Sequence, residues 1–494
     1  MVNNIINLNS NEAKQYFLKD TSYHNFSLPD YFDFSNLLEK VYNEIKNYEN
    51  IKECFSKKPT DFDDVNYILR HNKNWKYSRR KFELIHPFFY TALVNIITEP
   101  ENWEFLINRF IELILLSNVK CFSIPTASDE LVYNKKDQIE IWLNEIEKKS
   151  ITLSLDYKYL FNTDIIDCYW SIYTHSISRA IHGKERSKSH RKIEDGIWNK
   201  IDYYIQSMHY WQTNWIPQWS ILMDFIAEYV LLYIDTEFTK RLTESNIDQN
   251  YEILRYRDDY RIFVNNPKEW EIIIKILCEV LSDFWMRINT DKTKSSWNVI
   301  YDSMKIDKLN YMFNYKHKKN ILQELIWIDK FSDDYPCSWS LLKLLNKVSK
   351  RIDKLPVNKD IKSHIAVLVD IWYKNPNTYN YISLILSKFL SLIDDESEKL
   401  ELIEKISNKF HDRPNTEMLD LRLQRITYFI NPGVEYNWKL YKTLLVNKNN
   451  IWNNKRLKRD FSKIIENTTI INQATLQDMN AIITDEEVDF LRDY

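Results

Sequence analysis

Residues 251–264, Tyr-Glu-Ile-Leu-Arg-Tyr-Arg-Asp-Asp-Tyr-Arg-Ile-Phe-Val, constrain the fold more than any other stretch of the chain. Two apolar-rich runs, Ile253/Leu254/Tyr256 and Tyr260/Ile262/Phe263/Val264, flank the pair Asp258-Asp259. Strand-like runs on either side of a short polar break predict a β-hairpin with both carboxylates at its tip. Adjacent like charges on a hairpin repel, and burial amplifies the repulsion, so a divalent cation is their economical partner. Three further pairs, Asp63-Asp64, Asp333-Asp334 and Asp394-Asp395, sit among polar or helix-starting residues, where a solvated loop or a helix cap accounts for them.

The rest of the chain narrows the class. Its 494 residues are 44% hydrophobic and 28% charged with net charge −3, the profile of a folded protein of roughly two to four domains rather than a disordered one. Global charge gives no support for tight nonspecific binding to nucleic acid. The longest apolar run, Ile221 to Ile234, is broken by Asp224 and Glu228, so no membrane span is expected. The N-terminus carries no basic segment followed by an apolar core, and a cytoplasmic location is expected. Five scattered cysteines without a C-x-x-C pair argue for reduced thiols.

Read in order, residues 1 to about 60 mix short helical patterns such as Phe34 to Tyr48 with polar turns. A basic turn-rich segment containing Lys76, Arg79, Arg80 and Lys81 precedes the apolar helix expected over Phe88 to Ile97. Such cations would hold an anionic ligand such as a triphosphate, or simply form a solvated face. Residues 151–163 read as an extended lead-in to Thr163-Asp-Ile-Ile-Asp-Cys-Tyr169, and Ser171 to Ile177 opens a helix. An Asp ending an apolar strand, with an aromatic five residues later, is the pattern of a polymerase palm; taken alone, Asp164 reads equally as a helix cap. A Pro217-Gln218 turn then feeds a long helix, the acidic hairpin follows, Glu269 to Leu281 is helical, and Phe284 to Lys294 reads as a strand leading to a basic turn.

This series resembles the reverse transcriptases. Within them, Ser171-Ile-Tyr-Thr-His-Ser-Ile177, Ala180-Ile-His-Gly183, Ile216-Pro-Gln218 and Asp224-Phe-Ile-Ala-Glu228 are similar to the bacterial abortive-infection group of the AbiK/AbiA kind, over roughly residues 60–305. The resemblance implies an α+β right-hand polymerase. Residues 1–60 would be an N-terminal helical segment of the fingers, 61–305 the fingers and palm, and 306–494 an α-helical HEAT-like repeat domain. It also implies a phage-defence enzyme making single-stranded DNA from dNTPs, protein-primed and without a template. By that resemblance Asp164, Asp258 and Asp259 hold two Mg²⁺ ions, Tyr169 excludes a ribose 2′-hydroxyl, and Gln218 lines the nucleotide pocket. Lys292 lies near the leaving group, and Arg80 and Lys76 face the triphosphate. The product strand would be attached to a tyrosine, and the protein would form a homo-oligomer.

The chain departs from the family pattern at its glycines. It has 3 glycines and 16 tryptophans, where ordinary usage predicts about 35 glycines. Trp75, Trp170, Trp215, Trp219 and Trp285 stand where the pattern wants glycine, at turns or close to ligand. Indoles at such places overpack. One explanation is a source that reads UGA as glycine, which would extend to Trp198, Trp211 and Trp297; the other is a diverged, catalytically dead enzyme.

Downstream of about residue 320, apolar residues recur at helical spacing in five blocks: 341–352, 361–372, 382–393, 400–410 and 418–429. Helices of about fifteen residues arriving roughly every nineteen pair up near the HEAT period; an irregular bundle is the alternative. Pro376-Asn-Thr378 recurs as Pro414-Asn-Thr416, each at an expected helix start. Lys455 to Arg459 reads as a solvated basic face or a nucleic-acid contact. Three functions remain open at this stage: an untemplated self-primed polymerase, a template-copying reverse transcriptase, and a decayed palm acting as a scaffold.

Overall fold

The computed structural model of the chain describes residues 3–48, 51–56, 65–74, 78–127, 134–183, 196–245, 247, 250–353, 361–434, 436, 438–446 and 448–488. Among them the strands are β1 (Asn3–Asn4), β2 (Tyr67–Asn72), β3 (Arg79–Leu84), β4 (Val119–Cys121), β5 (Thr126–Ala127), β6 (Tyr159–Asp164), β7 (Tyr251–Tyr256), β8 (Asp259–Val264) and β9 (Lys294–Ser296). A five-stranded sheet in the order β4-β7-β8-β6-β9 forms the centre, parallel only between β4 and β7, while β2 and β3 make a separate antiparallel hairpin.

Alternation in the strands explains why the central sheet is covered on both faces. Ile253, Ile262 and Val264 enter the main core, which also takes Ile273 and Leu277 of α3 (Pro267–Asp283) and most of α2 (Ile221–Glu244). Their neighbours Leu254 and Phe263, with Leu160, pack on the other face against Ile146 and Leu153 of α1 (Asn134–Leu153) and Val299. Helix α2 is apolar nearly all round and accordingly buried along its length, as expected for a helix running through a core. Ser220 caps it by accepting from the Met223 backbone N–H, the usual use of a serine at that position.

The last third is helical: α4 (Ile321–Asp334), α5 (Trp339–Ile352), α6 (Ile361–Lys374), α7 (Tyr379–Ser391), α8 (Glu396–Phe410) and α9 (Glu417–Ile430). Helix α4 packs on α5 and α6, α5 on α7, α6 on α7, and α9 on both α7 and α8, each contact joining helices adjacent or second-next in the chain. The two Pro-Asn-Thr segments do precede helices, with Thr378 and Thr416 at the N-caps of α7 and α9.

This region folds back onto the beginning of the chain. Helix α9 contacts β2, Asn72 Nδ2 donates to the Pro414 carbonyl at 2.8 Å, and Trp452 Nε1 donates to the Leu84 carbonyl at 3.2 Å. Isolated bridges join Phe32 to Ile471 and Phe55 to Leu457. One continuous core cluster runs from Ile5 to Val488.

Several expectations are corrected. Residues 284–294 are not a strand: Phe284 and Trp285 end α3, Ile288 makes only an isolated bridge to Ile165, and the strand is Lys294–Ser296. Residues 151–153 still belong to α1, and the helix expected from Ser171 begins at Thr174. Asp333-Asp334 closes α4, with Asp333 paired to Lys374 at 3.1 Å, rather than lying in a loop or cap. Arg456 is neither solvated nor free for nucleic acid. It is buried, donates to the Ser207 carbonyl at 2.6 Å, and faces the rings of Phe55 and Phe89. Trp75 and Asp63-Asp64 lie outside the described residues.

Candidate active site

Strand register assembles the acidic centre. In the antiparallel β6–β8 pairing Asp164 lies directly across from Asp259, and in the β7–β8 pairing Tyr256 lies across from Asp259. The hairpin loop is therefore Arg257-Asp258, and only Asp258 of the acidic pair is at the tip; Asp259 opens β8. Arg257 takes φ 52° to make the tight turn. The Ile165 N–H donates to the Asp258 carbonyl at 3.0 Å, fixing the loop against the end of β6. Three residues separated by up to about a hundred positions thus meet because one-residue slips would turn every side chain to the other face.

The electrostatics follow from this crowding. Burial, then the neighbouring Asp259 and Asp164, push the Asp258 carboxyl up to about 6. Desolvation among the crowded strand ends and then Asp164 also raise Asp259, although the residue itself is exposed, against the opposing pull of Lys292 and Lys305. Lys292 donates to and pairs with Asp164 Oδ2, which holds the lysine above its usual range despite desolvation. Asp164 is buried, and its other oxygen, Oδ1, has no hydrogen-bond partner among the described residues. A buried carboxylate oxygen without a partner is costly and suits a cation. Against this, no three His, Cys, Asp or Glu side chains among the described residues are gathered closely enough to hold a metal ion by themselves.

A cleft of about 460 Å³ opens at this centre. Asp164, Asp258 and Lys292 line it together with Tyr169, Gln218 and Arg80. Lys73, Arg79 and Lys81 contribute further positive charge to the lining, so acidic and basic groups share one cavity. Lys76 lies outside the described residues. Tyr169 sits on the single helical turn Cys168–Ser171, and its hydroxyl donates to Asp224 Oδ1 at 2.6 Å; burial and that carboxylate raise the phenol well above its usual range.

Tryptophans crowd the basic side chains. The Trp219 indole N–H donates to the Lys81 carbonyl at 2.9 Å, and its ring lies 5.5 Å from the Arg80 guanidinium. The Lys81 ammonium lies 4.6 Å from the Trp170 ring and 5.8 Å from that of Trp215. These are cation–π distances. Trp215 and Trp219 hold φ of 83° and 76°, and Trp211 and Trp285 each 62°, the left-handed region where bulky residues are outliers and glycine is at home. Trp170 is in a helical turn instead. Trp198 presses on His182, ring centroids 3.4 Å apart, and fills the space where a Cβ at Gly196 would stand.

Beneath the hairpin Arg255 is fully buried between Glu228, at 2.5 Å, and Asp235, at 2.7 Å. The Tyr260 hydroxyl donates to the other Asp235 oxygen at 2.8 Å. The network ties β7 and β8 to α2, with one guanidinium shared by two carboxylates, and burial pushes the Asp235 carboxyl up to about 6. Sequence reasoning gave no role to Asp224, Arg257 or Asn25, yet all three line the cleft. Asp224 was signalled by its interruption of an apolar helix and by its place in the Asp224-Phe-Ile-Ala-Glu228 string; Asn25 is so distant in sequence that no pattern reveals it.

No family model matches the chain, and no curated protein matches it. Among solved structures, it is similar to apo telomerase from Candida tropicalis at 11% identity and a TM-score of 0.33, over 81% of this chain and 77% of that one. It is likewise similar to Candida albicans telomerase bound to a fragment of telomeric RNA at 12% identity and a TM-score of 0.30, over 78% and 73%. Overlaps this loose carry no argument about this chain. No helix among the described residues is long and apolar enough to cross a membrane.

Proposed function

We propose that the protein is a reverse-transcriptase-like nucleotidyltransferase that extends DNA from dNTPs. The observation that carries this reading is the strand register that sets Asp164 opposite Asp259, with Asp164 and Asp258 lining a cleft that also carries Lys292, Arg80 and Lys73 while Asp259 stays exposed outside that lining. Acidic groups that need a cation, next to cations that need an anion, fit a metal-bound triphosphate. When bound, two Mg²⁺ ions would activate the primer hydroxyl and neutralise the departing pyrophosphate. Asp164, Asp258 and Asp259 would hold them only together with the triphosphate oxygens, since the three carboxylates are not gathered closely enough by themselves, and Lys292 would turn from Asp164 to give its proton to the leaving group. Arg80 would bind the triphosphate, Gln218 would border the base, and the Tyr169 ring would exclude a ribose 2′-hydroxyl.

The finer reading is a phage-defence enzyme of the abortive-infection kind, working in the cytoplasm as a homo-oligomer. It makes single-stranded DNA without a template, primed from a tyrosine, with helices α4 to α9 as a HEAT-like guide for the strand. The test is incubation of purified protein with dNTPs and Mg²⁺ and no template. DNA covalently attached to protein is expected, and Asp258→Ala should abolish it. Product only on addition of an RNA template would replace self-priming with template copying. No product under either condition would overturn the polymerase.

A second reading rests on Trp219, whose indole stands in the cleft against Arg80: as written, the chain would be a blocked palm serving as a scaffold. The glycine-favouring backbone at Trp211, Trp215, Trp219 and Trp285 supports UGA read as glycine in the source, which would clear the cleft. Glycine at these positions in peptides of the native protein is expected; tryptophan there would favour the scaffold.

A further inference from the structure

Asp224 lies in the first turn of α2, at the junction of three segments distant in sequence. Its Oδ1 accepts the Tyr169 hydroxyl at 2.6 Å. Its Oδ2 accepts from Asn25 Nδ2 at 3.1 Å and pairs with Arg257 at 3.4 Å. Asn25 in turn reaches the same region through its backbone, its N–H donating to the Trp219 carbonyl at 2.8 Å. Arg257 precedes Asp258 in the hairpin loop and is anchored by its own backbone N–H, which donates to Ser123 Oγ at 2.8 Å. One carboxylate therefore joins the ring beside the reacting centre to the loop that carries an acidic group.

We infer that Asp224 is a positioning and specificity-determining residue, holding the Tyr169 ring by its hydroxyl at the orientation that separates deoxyribonucleotides from ribonucleotides. This rests on the nucleotidyltransferase reading above. A tyrosine ring attached only at its Cβ rotates about two side-chain bonds, and a hydrogen bond from the hydroxyl to a fixed carboxylate removes that freedom. Asp224 is fixed because its second oxygen is held from two sides and its backbone belongs to a capped helix. The ring then presents one face to the cleft, and discrimination by shape requires a wall that does not yield. The Arg257 pairing carries the same constraint to the hairpin, so sugar selection and the placement of Asp258 are set by one group.

The experiment compares wild type with Asp224→Asn, Asp224→Ala, Tyr169→Phe and the double variant Asp224→Ala/Tyr169→Phe. For each, dATP and ATP are compared by incorporation and, independently of synthesis, by the shift each gives in thermal melting. Loss of a charge-assisted hydrogen bond predicts about a tenfold fall in the dATP-to-ATP preference for Asp224→Ala and Tyr169→Phe. The double variant should match the singles, since both remove one link. Asp224→Asn keeps an acceptor oxygen and should retain most of the preference. A merely structural Asp224 would lower kcat or the melting temperature and leave the preference unchanged, which would overturn the inference alone. Wild type that neither binds nor incorporates either nucleotide would overturn it together with the proposed function.

Discussion

Asp258 carries the sharpest consequence at the scale of a single side chain. Its carboxyl protonates at about 6 in the fold against an ordinary 3.8, because burial and two neighbouring carboxylates disfavour its charge. The sign follows from proton uptake. Between these values the native state holds more protons than the unfolded chain, so stability falls as pH rises through that window and the penalty is complete above it. Asp258→Asn, which cannot charge, should therefore be more stable than wild type by about 2–3 kcal/mol near pH 8 in urea unfolding, with the gain vanishing near pH 4. An equal gain at both pH values would contradict the repulsion. Added Mg²⁺ should raise the melting temperature of wild type and leave the variant nearly unmoved.

At the scale of an element, the end of α3 shows how backbone geometry selects a residue. Met286 N–H donates to the Leu281 carbonyl and Trp285 N–H to the Ser282 carbonyl, at 2.9 and 3.0 Å, the two bonds of a Schellman motif. Trp285 is the left-handed residue of that motif, at φ 62° with 74% of its surface exposed. The indole gains little from burial there and strains the turn by about 1 kcal/mol or more. Trp285→Gly should raise stability by about 1 kcal/mol, read by thermal denaturation; a loss would mean that the indole packs against something of value. The same logic applies to the turn at Trp215 and Trp219, although those rings also touch Lys81 and Arg80.

For the whole molecule, what matters is how the helical third closes over the rest. Two ion pairs in this region differ in kind. Arg70 pairs with Glu417 at 3.1 Å while keeping 57% of its side chain exposed, whereas Arg425 is buried and bonds Glu487 through both Nε and NH2, at 2.9 and 2.7 Å. Arg70→Ala should cost less, about 1–2 kcal/mol, since solvent screens the exposed guanidinium and the buried Glu417 keeps the Arg70 backbone N–H as a donor. Arg425→Ala should cost about 3–5 kcal/mol by stranding a buried carboxylate and emptying its site. Limited proteolysis should then open the chain near its C-terminal segment, which packs back on α9. Equal losses for the two variants would contradict this division.

The sequence alone determined the local elements that depend on local chemistry. The apolar periodicity of α5 to α9, the helix starts at the two Pro-Asn-Thr segments, and the strand runs around Asp258-Asp259 are all short-range signals. It also pointed to Asp164, Lys292, Tyr169 and Gln218, residues the fold brings to one cleft. Tertiary structure decided the rest. Whether Asp164 faces Asp259 depends on register between strands far apart in the chain. That Arg456 is buried, and that Asn25 reaches Asp224, depends on surfaces that meet only after the chain has closed. Periodicity reports which face of an element is apolar, whereas the partner that covers that face is chosen by packing across the whole molecule.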